Sequence, residues 1–368
     1  MPRVLFVHHS SQVSGAEKSL VDLISGLGEG WEAVVACPGD GPLVEQLEAD
    51  GRRVVPAPIV RFKRSLCPVC LMRYFLAWRR GVRGLAAIIK NADIDVVHSN
   101  TTTAHLYGGA AAARCGVPSV WHIRDVAIPG LARLILPRAS ACVAISHFIA
   151  DRIAPTIRNK PIVIYNGIDL DEFHPAAQPA ETPTVAMAGQ LVPWKNHGDF
   201  LLAAARIREA VPSARFLIAG DDLFGDHPGY REELESLAEE TGVAESLEFT
   251  GYRKDLPQLL RSVSVLVHPS REEPFGRILV EAMASGVPVV AYDEGGPAEI
   301  ISHGNTGLLA RPGDVALIAA AVTRLLQNPA EAAKLGRAGR ARAEEMFARP
   351  DKALKIMAVY SKLLEGRQ

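Results

Sequence analysis

Short apolar runs of strand character recur along this chain in two series, and each is followed by a stretch with helical spacing. Strand–helix alternation confines a chain to parallel sheets covered by helices, because a parallel neighbour needs a crossover long enough to hold a helix. The first series puts strands at residues 4–8, 33–37, 54–57, 96–98, 119–122, 142–145 and 162–165. The second puts them at 185–188, 216–219, 247–250, 265–268, 289–291 and 308–310. Residues 176–183, rich in Pro, Ala and Gln, read as a linker between the series. Helices are expected over 196–210, 231–241 and 315–327 among others, and the tail 351–364 is helical by pattern.

Length and charge agree with two domains. The chain has 368 residues, 48% of them hydrophobic, enough for two sizeable cores. A net charge of -1 argues against nucleic acid as a partner. The charge is unevenly spread. Residues 1–180 hold 19 basic and 15 acidic side chains, whereas 181–350 hold 17 basic and 24 acidic. Residues 51–92 carry ten Lys or Arg and no Asp or Glu, interleaved with Phe62, Tyr74, Phe75 and Trp78. Five cysteines, an odd set, suit free thiols in a reducing compartment. Cys67 and Cys70 form a C-x-x-C with no second pair to complete a zinc site. The apolar run 4–7 is too short for a signal peptide, and no run approaches the roughly 20 residues that span a bilayer. The expectation is a soluble or peripheral intracellular protein.

The chemistry concentrates in Glu273-Pro274-Phe275-Gly276-Arg277-Ile278-Leu279-Val280-Glu281-Ala282-Met283-Ala284. A glycine entry leads into a helix whose first N–H groups attract anions such as phosphate. A carboxylate in the second turn reaches back toward that end and accepts hydrogen bonds from sugar hydroxyls. Upstream, Gly189-Gln190-Leu191-Val192-Pro193-Trp194-Lys195-Asn196 follows a strand, as do Val13-Ser14-Gly15-Ala16-Glu17 and Trp121-His122-Ile123-Arg124-Asp125, while Phe249-Thr250-Gly251-Tyr252-Arg253 is the end of one. No G-x-G-x-x-G dinucleotide fingerprint is present.

These segments together resemble the retaining family 4 (group 1) glycosyltransferases of the GT-B fold. That resemblance implies an α/β chain of two Rossmann-like domains facing each other across a cleft. Residues 1–175 would bind the acceptor, 183–350 the donor, and a C-terminal helix within 351–368 would cross back to the first domain. It implies a nucleotide-diphosphate sugar as co-substrate, with no cofactor and no metal; Asp221-Asp222 is the nearest approach to a metal motif. Lys195 falls on the family's diphosphate lysine, Glu273 on the position beside the transferred sugar, and Glu281 on the ribose-binding position. Gly276, Arg277 and Ile278 would meet the diphosphate, and the main chain at Tyr252 and Arg253 would read the base. His122 would contact the transferred sugar and Gly15 would allow close backbone approach. Gln190 stands where the family commonly has Arg, so the usual pair of cations is reduced to one, with Arg277 placed to compensate.

The acceptor is expected to be lipid-linked or a saccharide, in cell-surface polysaccharide, lipopolysaccharide or glycolipid synthesis. The basic stretch 51–92 suggests an anionic membrane surface, on the cytoplasmic, inner face of the plasma membrane. Competing readings are a sugar-nucleotide epimerase or phosphorylase on the same fold, and a non-catalytic nucleotide-sugar-binding module. Lys195, Glu273 and Glu281 together weigh against the last of these.

Overall fold

The computed structural model describes residues 1–61, 67–126, 138–157, 160–178 and 182–366. It divides into two compact units, Met1–Gly167 with Arg349–Gln368, and Ile168–Ala348.

The first unit contains β1 (Arg3–Val7), β2 (Glu32–Cys37), β3 (Arg53–Pro56), β4 (Val96–Ser99), β5 (Ser119–Ile123), β6 (Ala141–Ala144) and β7 (Ile162–Val163). They form one parallel sheet in the order β3-β2-β1-β4-β5-β6-β7. The second unit contains β8 (Thr184–Ala188), β9 (Arg215–Ala219), β10 (Leu247–Gly251), β11 (Val265–His268), β12 (Val289–Tyr292) and β13 (Leu308–Ala310). Its parallel order is β10-β9-β8-β11-β12-β13. Central strands such as β4, β5, β11 and β12 are buried along their whole length, as sheets covered on both faces require.

Helices of the first unit are α1 (Gly15–Ser25), α2 (Pro42–Ala49), α3 (Pro68–Asn91), α4 (Thr102–Cys115) and α5 (His147–Ile153). The second unit holds α6 (His197–Ala210), α7 (Tyr230–Glu240), α8 (Leu256–Arg261), α9 (Arg277–Ala284), α10 (Gly296–Ile300), α11 (Val315–Gln327) and α12 (Pro329–Phe347). The last helix, α13 (Arg349–Glu365), belongs to the first unit, where Ala353, Ile356 and Tyr360 enter the core with Val4, Phe6, Val96 and Val120. The second core gathers Val185, Met187, Phe200, Phe216, Val265 and Tyr292.

Both sheets reverse their winding once, between β1 and β4 and between β8 and β11. At such switch points the following loops part, and ligands of open α/β sheets bind in the crevice beyond the strands' carboxyl ends.

The passage between units falls at 167/168, before the Pro- and Ala-rich stretch that composition marks as linker. Residues after Gly167 are held by the second unit. Arg340 Nη1 on α12 donates to the Phe173 carbonyl at 2.6 Å and to Leu170 at 3.4 Å, and Phe173 is buried. The seventh strand is also shorter than its apolar run, covering only Ile162–Val163.

Candidate active site

The second unit assembles its polar cluster at the β8/β11 switch point. After β8 the chain turns through Gly189 and Gln190 into a single 3-10 turn, Pro193–Lys195, and Asn196 in the left-handed region (φ 56°) starts α6. After β11 it runs from Pro269 to Gly276 before α9 begins. Two bonds lace these loops together: Arg271 N donates to Trp194 O at 3.0 Å, and Asn196 Nδ2 donates to Pro269 O at 3.1 Å.

That lacing brings Lys195 to Glu273. Lys195 Nζ lies 2.5 Å from Glu273 Oε2 and 4.2 Å from the centre of the Trp194 ring, so a cation–π contact and an ion pair fix it. His268, the last residue of β11, places Nε2 3.0 Å from the same oxygen. The Glu273 side chain is 8% exposed. Burial alone would raise its pKa; the Lys195 charge and the bonds from His268 and Lys195 outweigh it and hold the carboxylate well below the usual range. Burial pushes the His268 imidazole down, against an upward pull from Glu273. A neutral His268 that donates to a carboxylate carries its proton on Nε2. Its buried Nδ1 has no hydrogen-bond partner among the described residues.

The backbone around Glu273 is tightly enclosed. Gly296 N donates to Glu273 O at 2.8 Å, and a Cβ on Gly296 would stand 2.2 Å from the Phe275 carbonyl oxygen. That contact is closer than any side chain tolerates, so the Asp293-Glu294-Gly295-Gly296 loop needs its second glycine. Gly276, at φ 94°, caps α9 in a conformation that L residues rarely adopt.

On α9, Arg277 occupies the first turn and Glu281 the second. Arg277 Nε lies 2.6 Å from Glu281 Oε1, and the two side chains are 11% and 3% exposed. This i,i+4 pair stands Glu281 upright beside the helix N terminus, where the Arg277 cation and the first backbone N–H groups of α9 lie. Glu273, Arg277 and Glu281 thus lie on one continuous loop–helix segment, against which the β8 loop sets Lys195.

Other expected residues lie further out. Tyr252, 38% exposed, and Arg253 follow β10, the outermost strand, two places from β8 in the sheet. Arg253 is engaged locally by Asp255 in a bidentate pair, at 2.7 and 2.6 Å. Gln190 is half-buried beside Gly189.

In the first unit, Gly15 begins α1, and an added Cβ there would meet nothing within 4 Å. Spatially, then, an alanine fits. His122 is buried rather than displayed: its Nδ1 lies 3.1 Å from His98 Nε2, whose Nδ1 meets the Tyr360 hydroxyl of α13 at 2.7 Å. His122 Nε2 has no partner among the described residues, and the ring lines a small cavity with Arg124, Asn166 and Lys352. Burial, then Arg124 and His98, keep His122 neutral.

The structure also supplies polar residues that carry no role in the sequence reading. At the β1/β4 switch point His8 Nε2 meets Glu17 Oε1 at 2.5 Å, and Asn100 Nδ2 lies 3.2 Å from His8 Nδ1. Arg124 bridges Asn100 and Asn166, donating to them at 3.1 and 2.5 Å. Glu17 is driven up by burial and more strongly down by His8 and Ser14, to about 2. One signal was visible for each: His268 ends an apolar run just before the Glu273 motif, and Arg124 stands within the quoted Trp121–Asp125 motif.

Two parallel Rossmann-like sheets, with a buried lysine–carboxylate pair and a glutamate-bearing helix N terminus at the second switch point, define a GT-B glycosyltransferase architecture. Residues 13–172 match the Glycosyltransferase Family 4 model, and residues 170–342 match the Glycosyl transferases group 1 model. The GDP-mannose-dependent alpha-mannosyltransferase of Mycobacterium tuberculosis is 32% identical over 335 residues, 82% of either chain. The lipopolysaccharide core biosynthesis mannosyltransferase LpsB of Rhizobium meliloti is 28% identical over 247 residues, 64% of this chain and 69% of that one. Anabaena HepE, crystallised with UDP and glucose, superposes with a TM-score of 0.84 at 26% identity, covering 98% of this chain and all of that one (100%). The chain belongs to the group 1 glycosyltransferase family.

Proposed function

We propose that this protein is a retaining glycosyltransferase that moves a sugar from a nucleotide-diphosphate sugar to an acceptor hydroxyl. The observation that carries this is the arrangement holding Lys195 against Glu273 and Arg277 against Glu281 at the N terminus of α9. The diphosphate would lie on the N–H groups of Gly276, Arg277 and Ile278, with Lys195 on its oxygens, Glu281 on the ribose diol and Glu273 on the sugar. Tyr252 and Arg253 would border the base.

In the reaction the bond between sugar C1 and the β-phosphate oxygen breaks, and the acceptor oxygen bonds to C1 on the face just vacated. The acceptor proton passes to the departing diphosphate, so no strong side-chain base is required. Negative charge grows on that diphosphate in the transition state, and preorganised positive groups there lower the barrier. Lys195, Arg277 and the helix terminus supply them without a divalent ion, and no cofactor enters the chemistry. Gln190 adds a hydrogen bond where the family commonly has a cation.

The names of relatives support a nucleotide sugar while dividing over its base: HepE was crystallised with UDP, and the mannosyltransferase uses GDP-mannose. LpsB and the phosphatidylinositol monomannoside mannosyltransferase of Mycobacterium tuberculosis support a lipid-linked or saccharide acceptor in cell-surface glycan or glycolipid synthesis. The cationic stretch 51–92 is suited to an anionic surface and would place the protein peripherally on the cytoplasmic, inner face of a membrane. No helix among the described residues is long and apolar enough to cross a membrane.

The test is release of nucleoside diphosphate from a panel of UDP- and GDP-sugars, with and without saccharide and lipid-linked acceptors, in the presence of EDTA. Acceptor-dependent release that survives chelation, and a product whose anomeric configuration by NMR equals the donor's, is the expected result. Interconversion of the donor without transfer identifies an epimerase; phosphate-dependent release of sugar phosphate identifies a phosphorylase. Activity lost to EDTA and restored by magnesium overturns the metal-free mechanism.

A further inference from the structure

Helix α3 is two helices in its environment. Its C-terminal half is packed: Val82, Leu85, Ala86 and Ile89 are buried, and Trp78 Nε1 donates to Leu106 O on α4 at 2.9 Å. Its first three turns leave one face uncovered. Val69, Leu71, Met72, Phe75 and Leu76 are 67%, 49%, 59%, 50% and 56% exposed. They make up five of the thirteen large exposed hydrophobics among the described residues. No other segment among the described residues concentrates them in this way.

The exposed side chains are ordered along the helix. Val69, Met72 and Leu76 recur at spacings of three and four, so they share the outward face. The same line continues into Arg80 and Arg83, with Arg73 and Arg79 at its sides, and all four are exposed. At 1.5 Å per residue the apolar stretch from Val69 to Leu76 is about 10 Å long, with Arg73 on its flank, and Arg79, Arg80 and Arg83 occupy about the next 10 Å. Phe75 stacks on Trp78 with centroids 5.9 Å apart and carries Arg79 5.8 Å from its ring centre, which stiffens the junction between the two zones.

We infer that α3 docks the protein on an anionic membrane by sinking the apolar face of its first turns, Val69, Met72 and Leu76, below the headgroups, while Arg79, Arg80 and Arg83 form a collar at phosphate level and the long Arg73 side chain beside that face reaches up to it. This rests on the peripheral-membrane reading above and replaces simple electrostatic adsorption with insertion. Charge complementarity selects the occupant: from 51 to 92 no carboxylate is present to repel anionic lipid, and a protein groove would leave ten cations to be matched one by one. Basic residues alone hold a protein at the surface and release it with salt. Inserted apolar surface adds a salt-resistant part to the attraction.

The experiment compares wild type with Met72→Gln/Leu76→Gln and with Arg79→Gln/Arg80→Gln/Arg83→Gln, by co-sedimentation with vesicles of phosphatidylcholine alone or mixed with phosphatidylglycerol. Wild type should bind the anionic vesicles and retain part of that binding at high salt. The Met72→Gln/Leu76→Gln variant should bind at least about tenfold more weakly and lose the salt-resistant part. The arginine variant should lose the preference for phosphatidylglycerol. A Met72→Trp variant should show quenching by brominated acyl chains beyond that of wild type. Thermal midpoints equal to wild type establish that each variant is folded. Failure of wild type to bind anionic vesicles removes both the membrane reading and the insertion. Wild-type binding that is unaffected by Met72→Gln/Leu76→Gln, with Met72→Trp unquenched, leaves adsorption standing and overturns insertion. A dimer in sedimentation velocity that Met72→Gln/Leu76→Gln dissolves assigns the face to a second copy instead, and also overturns it.

Discussion

Glu273 receives both of its side-chain contacts, from Lys195 and His268, on Oε2. A carboxylate clamped through one oxygen presents the other in a fixed direction, as a sugar hydroxyl would require. Replacing Lys195 by Ala leaves a buried carboxylate without its cation. Turnover should therefore fall further than donor affinity, measured as kcat against the calorimetric Kd of the nucleotide sugar. Equal losses in both would place Lys195 in ground-state binding alone. Glu281→Ala removes an acceptor beside the helix terminus and should weaken nucleotide binding by roughly 1.5–3 kcal/mol, read by calorimetry with UDP and GDP. Unchanged affinity would refute the ribose assignment. These residues were legible because Glu, Gly, Lys and Glu stand at family spacings. His268 was not, since a histidine ending an apolar strand is ordinary until a partner five residues later is seen to fold back on it.

At the scale of elements, the glycine loops are where backbone rather than side chain decides. Gly296→Ala would drive a Cβ into the Phe275 carbonyl, so the variant should lose several degrees of Tm and distort the Glu273 loop together. Gly15→Ala, facing open space, should leave Tm within about one degree, and its effect on acceptor use isolates any need for close approach. A Gly296→Ala protein with wild-type Tm would mean that the loop relaxes freely. Strand positions in both series followed from apolar runs, because buried parallel strands are nearly continuous in hydrophobicity. Sheet order did not follow, as nothing local in β1 or β8 records which strand lies beside it. The exposure of Val69 to Leu76 was hidden for a related reason: helical spacing shows that two faces exist, whereas which of them lacks cover is set by the length of the neighbouring α4. His122 sits inward for a tertiary reason too, since α13 lies over it and brings Tyr360 to His98.

Over the whole molecule, burial keeps several histidines neutral: His9 near pKa 4, His98 and His197 near 3. Their folded values lie below the unfolded value of about 6.5. Their contribution is complete above that value and shrinks as the pH falls through it, because the unfolded chain then binds protons the folded one refuses. Glu17 and Glu273, depressed in the fold, add a second loss as the pH falls below about 4.5. Urea midpoints should therefore decline from about pH 6.5 downward and steepen below about 4.5; a flat profile between pH 6.5 and 5 would contradict the buried neutral histidines. The placement of α13 has a consequence for biosynthesis. A ribosome delivers all seven strands of the first sheet, and then the whole of Ile168–Ala348, before it releases the helix whose Ala353, Ile356 and Tyr360 close the first core. Domains normally mature in the order in which they are made. Here the later one can be finished while the core of the earlier one still lacks Ala353, Ile356 and Tyr360, and it closes only when α13 emerges.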